Sequence, residues 1–495
     1  MKTFLQIVAE DIYKKVGNDL ENTAIVFPNK RARLFFNEHL ASESNQPIWS
    51  PAYISISELF QQLSPYKLGD PIQLVCEVYK VFCQASEKAE TLDDFYFWGE
   101  LLISDFDDVD KNLVNADKLF SNLRELKEMD DFSFLTQEQV ETIQQFFENF
   151  SIEKETELKK RFLTLWDKLG AIYTNFRQRL KELGIAYEGM MYREVIEQLE
   201  AEELEYEHYV FVGFNVLNKV EHTLFKKLDE AGKALFYWDY DNHYVDDQHH
   251  EAGHFMRNNI KRFPGVFDKK YFGNLAGEKK VTVVESANDS TAVRYVSGWL
   301  DKHLTKNEIE TAIVLCDETM LEATLHAIPE EANGQRIIQM NVTMGFPITH
   351  TPIYGLVKLL VELQTRGWSE KQRTFTFSHV CNLLKHPYVI QGSANSLELC
   401  KKLQNEKIFF PTSEHLCLDA FLTELFTRPT DNKEWLERMS HVIYGIAQIQ
   451  HNSEENSLYE KLFVEAIFKV YTQCQRLVHM LDADDLNMQQ ATIGK

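Results

Sequence analysis

Three short apolar runs decide most of what this chain can become: TAIVFP at 23–28, HYVFVGF at 208–214 and KALFYWD at 233–239. Each is shorter than an ordinary helix and rich in β-branched and aromatic residues, and none alternates cleanly between apolar and polar. A strand with one wet face would alternate. A strand apolar on both faces must be covered on both, which is the condition met by parallel sheets sandwiched between helices. The flanking residues agree. An amphipathic pattern at about 4–16 precedes the first run, and KRARLFFNEHL follows it at helical spacing. LNKVEHTLFKKLDEAG separates the second run from the third and stops at Gly232, a C-cap glycine. From about 55 to 200 the spacing is helical almost throughout, as in KRFLTLWDKLGAIYTNFRQRLKELG.

The same order recurs further on. KVTVVES (280–286) leads into a helix over 290–303, ETAIVLC (310–316) into a helix over 318–327, and RIIQMNV (336–342) offers a third strand before the spacing turns helical from about 351. The expectation is an α/β protein with two parallel sheets, each carrying a large α-helical insertion. Residues 1–55 with 200–275 would form the first sheet domain and 56–199 its insertion; 276–365 would start the second, with 366–495 as a second helical region. A chain of 495 residues that is 44% hydrophobic and 12% aromatic has ample material for such cores. Its last residues, NMQQATIGK, bring no closing element, as expected of a truncated piece of a longer protein.

No run approaches the roughly 18 apolar residues of a membrane span. The start, MKTFLQIVAEDIYKK, meets Glu10 and Asp11 at once and has no small-residue cleavage site, so a cytoplasmic protein without a membrane partner is expected. The seven cysteines (76, 83, 316, 381, 400, 417, 474) are dispersed and form no C-x-x-C, against a disulfide framework, a zinc knuckle or an iron–sulfur cluster. Cys76 and Cys83, seven apart on one helical pattern, read as packed core thiols. A net charge of -24 argues against general coating of nucleic acid, which draws on clustered cations. The acids concentrate in SDFDDVD (104–110) and EAEELEYEH (200–208), which leaves Asn29-Lys30-Arg31-Ala32-Arg33 as a basic spot.

One motif points elsewhere. His250-Glu251-Ala252-Gly253-His254 satisfies H-E-x-x-H, in which two histidines on one helix face hold Zn²⁺ and the glutamate polarises its water. A catalytic zinc needs a third ligand, and FMRNNIKRFPG after His254 lacks the glycine and histidine of the longer metzincin pattern. Glu278 lies in a Gly-Glu-Lys-Lys turn and Glu285 near the end of a strand-like run. A zinc metallopeptidase is therefore the alternative, and an acidic, solvent-facing helix start is the plainer account.

Four stretches carry a resemblance: AIVFPNKRARLFFNEHL, YVFVGFNVLNKVEHTLFKKLDEAGKALFYWDYD, TAIVLCDETMLEATLHAIPE and NVTMGFPITHTPIYGLVKLLVELQ, in that order over about 24–364. With them the chain resembles the inactivated superfamily 1 helicase subunits of the AddB type, found in bacterial helicase-nucleases and in related Bacteroidetes proteins. The resemblance implies two RecA-like (P-loop NTPase-like) sheets, a place in DNA repair and recombination, and a helicase-nuclease partner subunit. It also implies an EAG-aromatic-helix stretch at Glu251–Phe255, which accounts for the zinc-like motif.

The groups for ATP chemistry are missing. A Walker A loop, G-x-x-x-x-G-K-[ST], cradles the β- and γ-phosphates, and none occurs. Gly232-Lys233 is followed by Ala234 and lies between helix and strand, and nothing follows Gly494-Lys495. Where Walker B would place its acidic pair, after YVFVGF, stand Gly213, Phe214 and Asn215. A pseudoenzyme without metal or other cofactor is expected, and binding of nucleotide without hydrolysis stays open. Full members of the resembling family end in a PD-(D/E)xK nuclease domain. Here Glu125-Leu126-Lys127 and Glu157-Leu158-Lys159 have its E-x-K spacing but fall in helical segments, and neither has a strand-borne aspartate upstream. No G-x-S-x-G elbow and no glycine-rich dinucleotide loop occur either.

Binding remains. Lys30, Arg31 and Arg33 follow Pro28-Asn29 at a place comparable to the loop of helicase-like sheets that touches the single-strand backbone. Cations beside helix-start amides would hold phosphates there. The ordinary alternative is pairing with surface acids. Phe35, Phe36, Trp98 and Trp166 have the type to stack bases but the spacing of core residues. Asn341 to Pro347 reads as a turn, with Thr343 and Gly345 able to approach a nucleic-acid backbone. The expected function is an inactive helicase-like, single-stranded-DNA-binding or scaffolding component. A purely structural interaction protein of the same fold stays open beside it.

Overall fold

A computed structural model describes residues 2–44, 46–85, 91–120, 157–200, 204–303, 311–328, 331–332, 335–336, 341–451 and 458–484. It divides into two compact units, Met1–Glu278 and Lys279–Lys495.

The first unit is built on a parallel sheet of β1 (Thr23–Phe27), β2 (Ala52–Ser55), β3 (His208–Val212) and β4 (Ala234–Tyr237), in the order β2-β1-β3-β4. Ala24 pairs with Ala52, Val26 with Phe211, and Phe211 with Phe236. The chain steps from β1 to one side, then returns to the opposite side of β1 at β3, so the strand order reverses between β1 and β3. Both faces are covered, as the doubly apolar runs require. Ala24, Val26, Tyr209, Phe211 and Phe236 belong to one core; Ile25, Phe27, Val210, Val212 and Tyr237 belong to the other.

Helices α1 (Phe4–Val16) and α2 (Ala32–Ser42) close the second face through Val8, Ile12, Phe36 and Leu40. On the first face lie α3 (Ile56–Leu63), α4 (Pro71–Ala85), α5 (Leu92–Lys111), α6 (Glu157–Leu183), α7 (Glu188–Gln198) and α8 (Lys219–Glu230). The long helical excursion has no core of its own. Val78, Phe95, Phe106, Phe176 and Met190 join the same continuous cluster as Val26 and Phe211. Strand β2 escapes a reading of the sequence because Ser55 is both its last residue and the N-cap of α3. The Ser55 hydroxyl accepts from the Glu58 amide and the Glu58 carboxylate accepts from the Ser55 amide, a reciprocal capping box that folds strand directly into helix.

One acid of the run at 104–110 is not on a solvated face. Asp110, at the end of α5, is fully buried. It accepts from the Tyr173 hydroxyl at 2.5 Å, Arg177 Nη1 at 2.9 Å, the Tyr187 hydroxyl at 2.5 Å and Arg193 Nη1 at 3.2 Å. Arg177 reaches on to Glu194 at 2.5 Å, which Lys181 also holds at 2.7 Å. Burial, reinforced by the Asp110 charge, pushes the Tyr173 hydroxyl up to about 12 and the Tyr187 hydroxyl well above its ordinary value. Burial pushes Glu194 up as well, but the hydrogen bonds from Lys181 and Arg177 outweigh it and hold the carboxyl below its ordinary value.

The second unit is almost entirely helical in its core. α10 (Asp289–His303) and α11 (Leu321–Ala327) follow the two strand-like runs, and α12 (Pro352–Thr365), α13 (Phe377–Leu384) and α14 (Ser396–Asn405) begin a larger helical cluster. That cluster extends to α15 (Asn432–His451) and α16 (Leu458–Asp484). The second parallel sheet expected over 276–365 is not present among the described residues. Residues 281–286 and 311–315 carry no strand pairing, and Val283 and Val314 are 90% and 83% exposed. Their β-type composition is real, but a strand exists only through a neighbour's hydrogen bonds, and neither run has one. The strand expected at 336–342 lies mostly outside the described residues; Gln335–Arg336 pairs antiparallel with Glu331–Ala332. No described helix is long and apolar enough to cross a membrane.

Candidate functional site

Ligands of open α/β sheets sit beyond the carboxyl ends of the strands where the strand order reverses. In this protein that place, between β1 and β3, is a crevice of about 390 Å³. Its walls are Thr3, Phe4 and Leu5 at the start of α1, Phe27 to Asn29 at the end of β1, Ala32, Phe35 and His39 on α2, Val212 and Gly213 at the end of β3, and Asp239 beyond β4. Gly213 has φ +76°, a left-handed conformation that favours glycine, and it turns the chain out of the strand while its amide donates to Tyr237 O at 2.9 Å. Thr3 Oγ1 lies 3.4 Å from His39 Nε2 across the α1–α2 side of the crevice. Partial burial pushes the Asp239 carboxyl above its ordinary value.

The turn after β1 is not a phosphate cradle. Asn29 Oδ1 accepts from the amides of Arg31 at 3.1 Å and Ala32 at 3.3 Å, so two of the helix-start donors that an anion would use are already satisfied within the turn. The cations therefore sit beside helix-start amides of which those of Arg31 and Ala32 are engaged by Asn29. Lys30 is exposed, and its Nζ contacts Glu58 Oε1 on α3 at 2.5 Å. That hydrogen bond, together with the Ser55 amide, holds the Glu58 carboxyl below its ordinary value. Arg33 is exposed on the first turn of α2 and Arg31 half-buried just before it. Phe35, 39% exposed, stands beside them on the crevice wall.

The other aromatics divide. Phe36 is fully buried, edge-on to Phe27 and Tyr53 at 5.7 and 6.1 Å, and presents no face to a base; Trp98 is half-buried and packs against the large core. Trp166 falls in α6, in a stretch whose side chains lie outside the described residues. Thr343 and Gly345 are exposed in the second unit. Glu157-Leu158-Lys159 opens α6 rather than ending a strand, and Glu125-Leu126-Lys127 and Gly494-Lys495 lie outside the described residues.

The H-E-x-x-H stretch does not form one helix. His250 is extended (φ -76°, ψ 118°) and caps a single 3₁₀ turn over Glu251–Gly253, its Nδ1 accepting from the Ala252 amide at 3.3 Å. His254 opens the next helix, α9 (His254–Arg262). The two imidazoles therefore lack the shared helix face that an i, i+4 zinc pair requires. Glu278 and Glu285 are exposed, and no group of three or more His, Cys, Asp or Glu among the described residues is placed to hold a metal ion. Hydrogen bonds from α9 tie the stretch into the fold. Arg257 on α9 donates to the carbonyls of Tyr244 at 3.0 Å, Asp247 at 2.7 Å and His250 at 3.0 Å. Asn259 Nδ2, from the same helix, donates to Asn215 O at 2.6 Å and so pins the loop that leaves β3 at the crevice. No known family model matches the chain, and no curated protein matches it.

Proposed function

We propose that this protein is a catalytically inactive, helicase-like component of a DNA repair helicase-nuclease, and that it holds single-stranded DNA at the mouth of the crevice between β1 and β3. The observation that carries this reading is the composition of that place. A parallel sheet presents its ligand-binding edge with an Asn29-closed turn instead of a glycine-rich loop and with Gly213-Phe214-Asn215 instead of an acidic pair, while Lys30, Arg31 and Arg33 are interleaved in the chain with the lining residues Asn29, Ala32 and Phe35. Cations of this kind track a phosphate backbone, and one free aromatic face gives a base something to stack on. Asp239 inside the crevice favours backbone binding at the rim over a polyphosphate held deep.

Binding of labelled single-stranded DNA by fluorescence anisotropy tests this reading. Changing Lys30, Arg31 and Arg33 together to Ala removes up to three phosphate contacts. The log–log salt slope should become shallower by about 2, equivalent to about a 20-fold loss of affinity relative to wild type at low salt that largely disappears at moderate salt. Binding that ignores the triple substitution would count against the site; no binding at any salt would leave a structural scaffold. No ATP turnover is expected.

A second variant separates the role of Lys30 from general charge. Glu58→Gln keeps a side chain able to close the Ser55 cap but removes the anion that holds Lys30. It should tighten DNA binding by about twofold to fivefold, the effect of one more available cation. The same substitution in a Lys30→Ala background should change binding only marginally.

A further inference from the structure

The helical core of the second unit encloses a pair of thiols that their spacing in the sequence does not announce. Cys381 on α13 and Cys400 on α14 are 5% and 4% exposed, and their sulfurs are brought into contact in the core. Both are reduced. The two helices pack through one cluster that includes Val380, Leu384, Leu399 and Leu403, so the positions of the sulfurs are set by the surrounding core and not by flexible loops. We propose that Cys381 and Cys400 are a redox site: a dithiol that closes reversibly to a disulfide and fastens α13 to α14.

Two cysteines can be bridged only where their backbones already hold the side chains face to face; otherwise the backbone must move. Here the sulfurs are in contact, so closure asks for little more than a side-chain adjustment. The oxidant is a low-molecular-weight disulfide, RSSR. One cysteine thiolate attacks a sulfur of RSSR, forming a protein–SR mixed disulfide and releasing RS⁻. The second cysteine thiolate then attacks the protein sulfur and displaces the other RS⁻. Two protein thiols are oxidised, one RSSR is reduced to two RSH, and the two protons lost by the cysteines end on the released thiolates. Burial, and then the neighbouring Cys400, push the Cys381 thiol up to about 12, so little thiolate exists in the closed core. Exchange therefore proceeds through local opening of α13 and α14, and is slow.

The closed loop would span residues 381 to 400, long enough for the bond to restrict the unfolded chain appreciably. The test uses the whole chain, incubated with oxidised or reduced glutathione, unfolded, alkylated and mapped by mass spectrometry. Oxidation should join the peptides bearing Cys381 and Cys400 and leave neither alkylated, while an exposed thiol such as Cys316 takes up glutathione without a cross-link. The temperature at which the Lys279–Lys495 unit loses hydrogen-exchange protection, read by mass spectrometry separately from the other unit, should rise by roughly 5–10 °C and return on reduction. Cys381→Ser and Cys400→Ser should each abolish both effects, and Cys316→Ser, at an exposed thiol, should abolish neither. If either core variant fails to fold, the wild-type peptide map still decides. Alkylated Cys381 and Cys400 after oxidation, a joined pair that excludes 381 and 400, or a cross-link without the thermal shift would overturn the proposal.

Discussion

Asp110→Ala is expected to destabilise the Met1–Glu278 unit by about 3–5 kcal/mol, the cost of stripping one partner from a buried ionic network. Four donors converge on this carboxylate: two hydroxyls and two guanidinium groups, from α6, from α7 and from the residue just before α7. Alanine leaves all four without their acceptor. Arg177 retains Glu194, and Arg193 retains Glu197 and the Val114 carbonyl, but the Tyr187 hydroxyl is deeply buried and has no second partner among the described residues. Asp110→Asn should cost less, because its carbonyl oxygen still accepts, yet its amide group then faces donors. Hydrogen exchange followed by mass spectrometry reads the two units separately, which a single melting curve of this two-unit chain does not. A loss of protection confined to the end of α5 would mean that the network is only local trim. Loss reaching β1 and β3 is expected, because the excursion and the sheet share one core.

How much of this was legible in the sequence depends on the range of the force involved. β1, β3 and β4 were readable because a strand covered on both faces is apolar throughout, a property of the segment itself. β2 was not, since four residues ending in a helix cap carry almost no pattern of their own. The runs at 280–286 and 310–316 show the converse: strand-like composition gives a residue run the capacity to pair, while the ladder must come from elsewhere in the chain or from outside it. Asp110 looked like any other member of an acidic run, because the donors that permit its burial lie 63 to 83 residues further along. The crevice was half visible. Lys30, Arg31 and Arg33 stand in one stretch, but Thr3, His39, Gly213 and Asp239 meet their neighbours Asn29, Ala32 and Phe35 only after the sheet has formed. Nothing in the sequence showed that Asn29 closes the turn or that Glu58 holds Lys30.

Gly253→Ala is the second large effect, and it separates the two accounts of the H-E-x-x-H stretch. A Cβ built on Gly253 would lie 2.0 Å from Tyr244 O and 2.5 Å from Arg257 Nη1. The first neighbour is backbone and cannot swing aside, and the second is the group that gathers the carbonyls of residues 244, 247 and 250. The cost should lie at or above the upper end of the about 1–3 kcal/mol typical of overpacking. It should not stay local. α9 also carries Asn259, whose bond to Asn215 O fixes the loop leaving β3, so a displaced α9 loosens the end of β3, where Val212 and Gly213 line the crevice. DNA affinity should fall with stability in Gly253→Ala, although residue 253 is not among the crevice's lining residues. His250→Ala and His254→Ala should behave differently. The first gives up one cap, worth about 1 kcal/mol, and the second removes an exposed side chain. If these imidazoles instead bound a catalytic zinc, the ranking would invert: both histidine variants would lose stoichiometric metal and any activity, while Gly253→Ala would be judged by its effect on that metal. Metal content and urea unfolding, measured on the same three variants, decide between the two rankings.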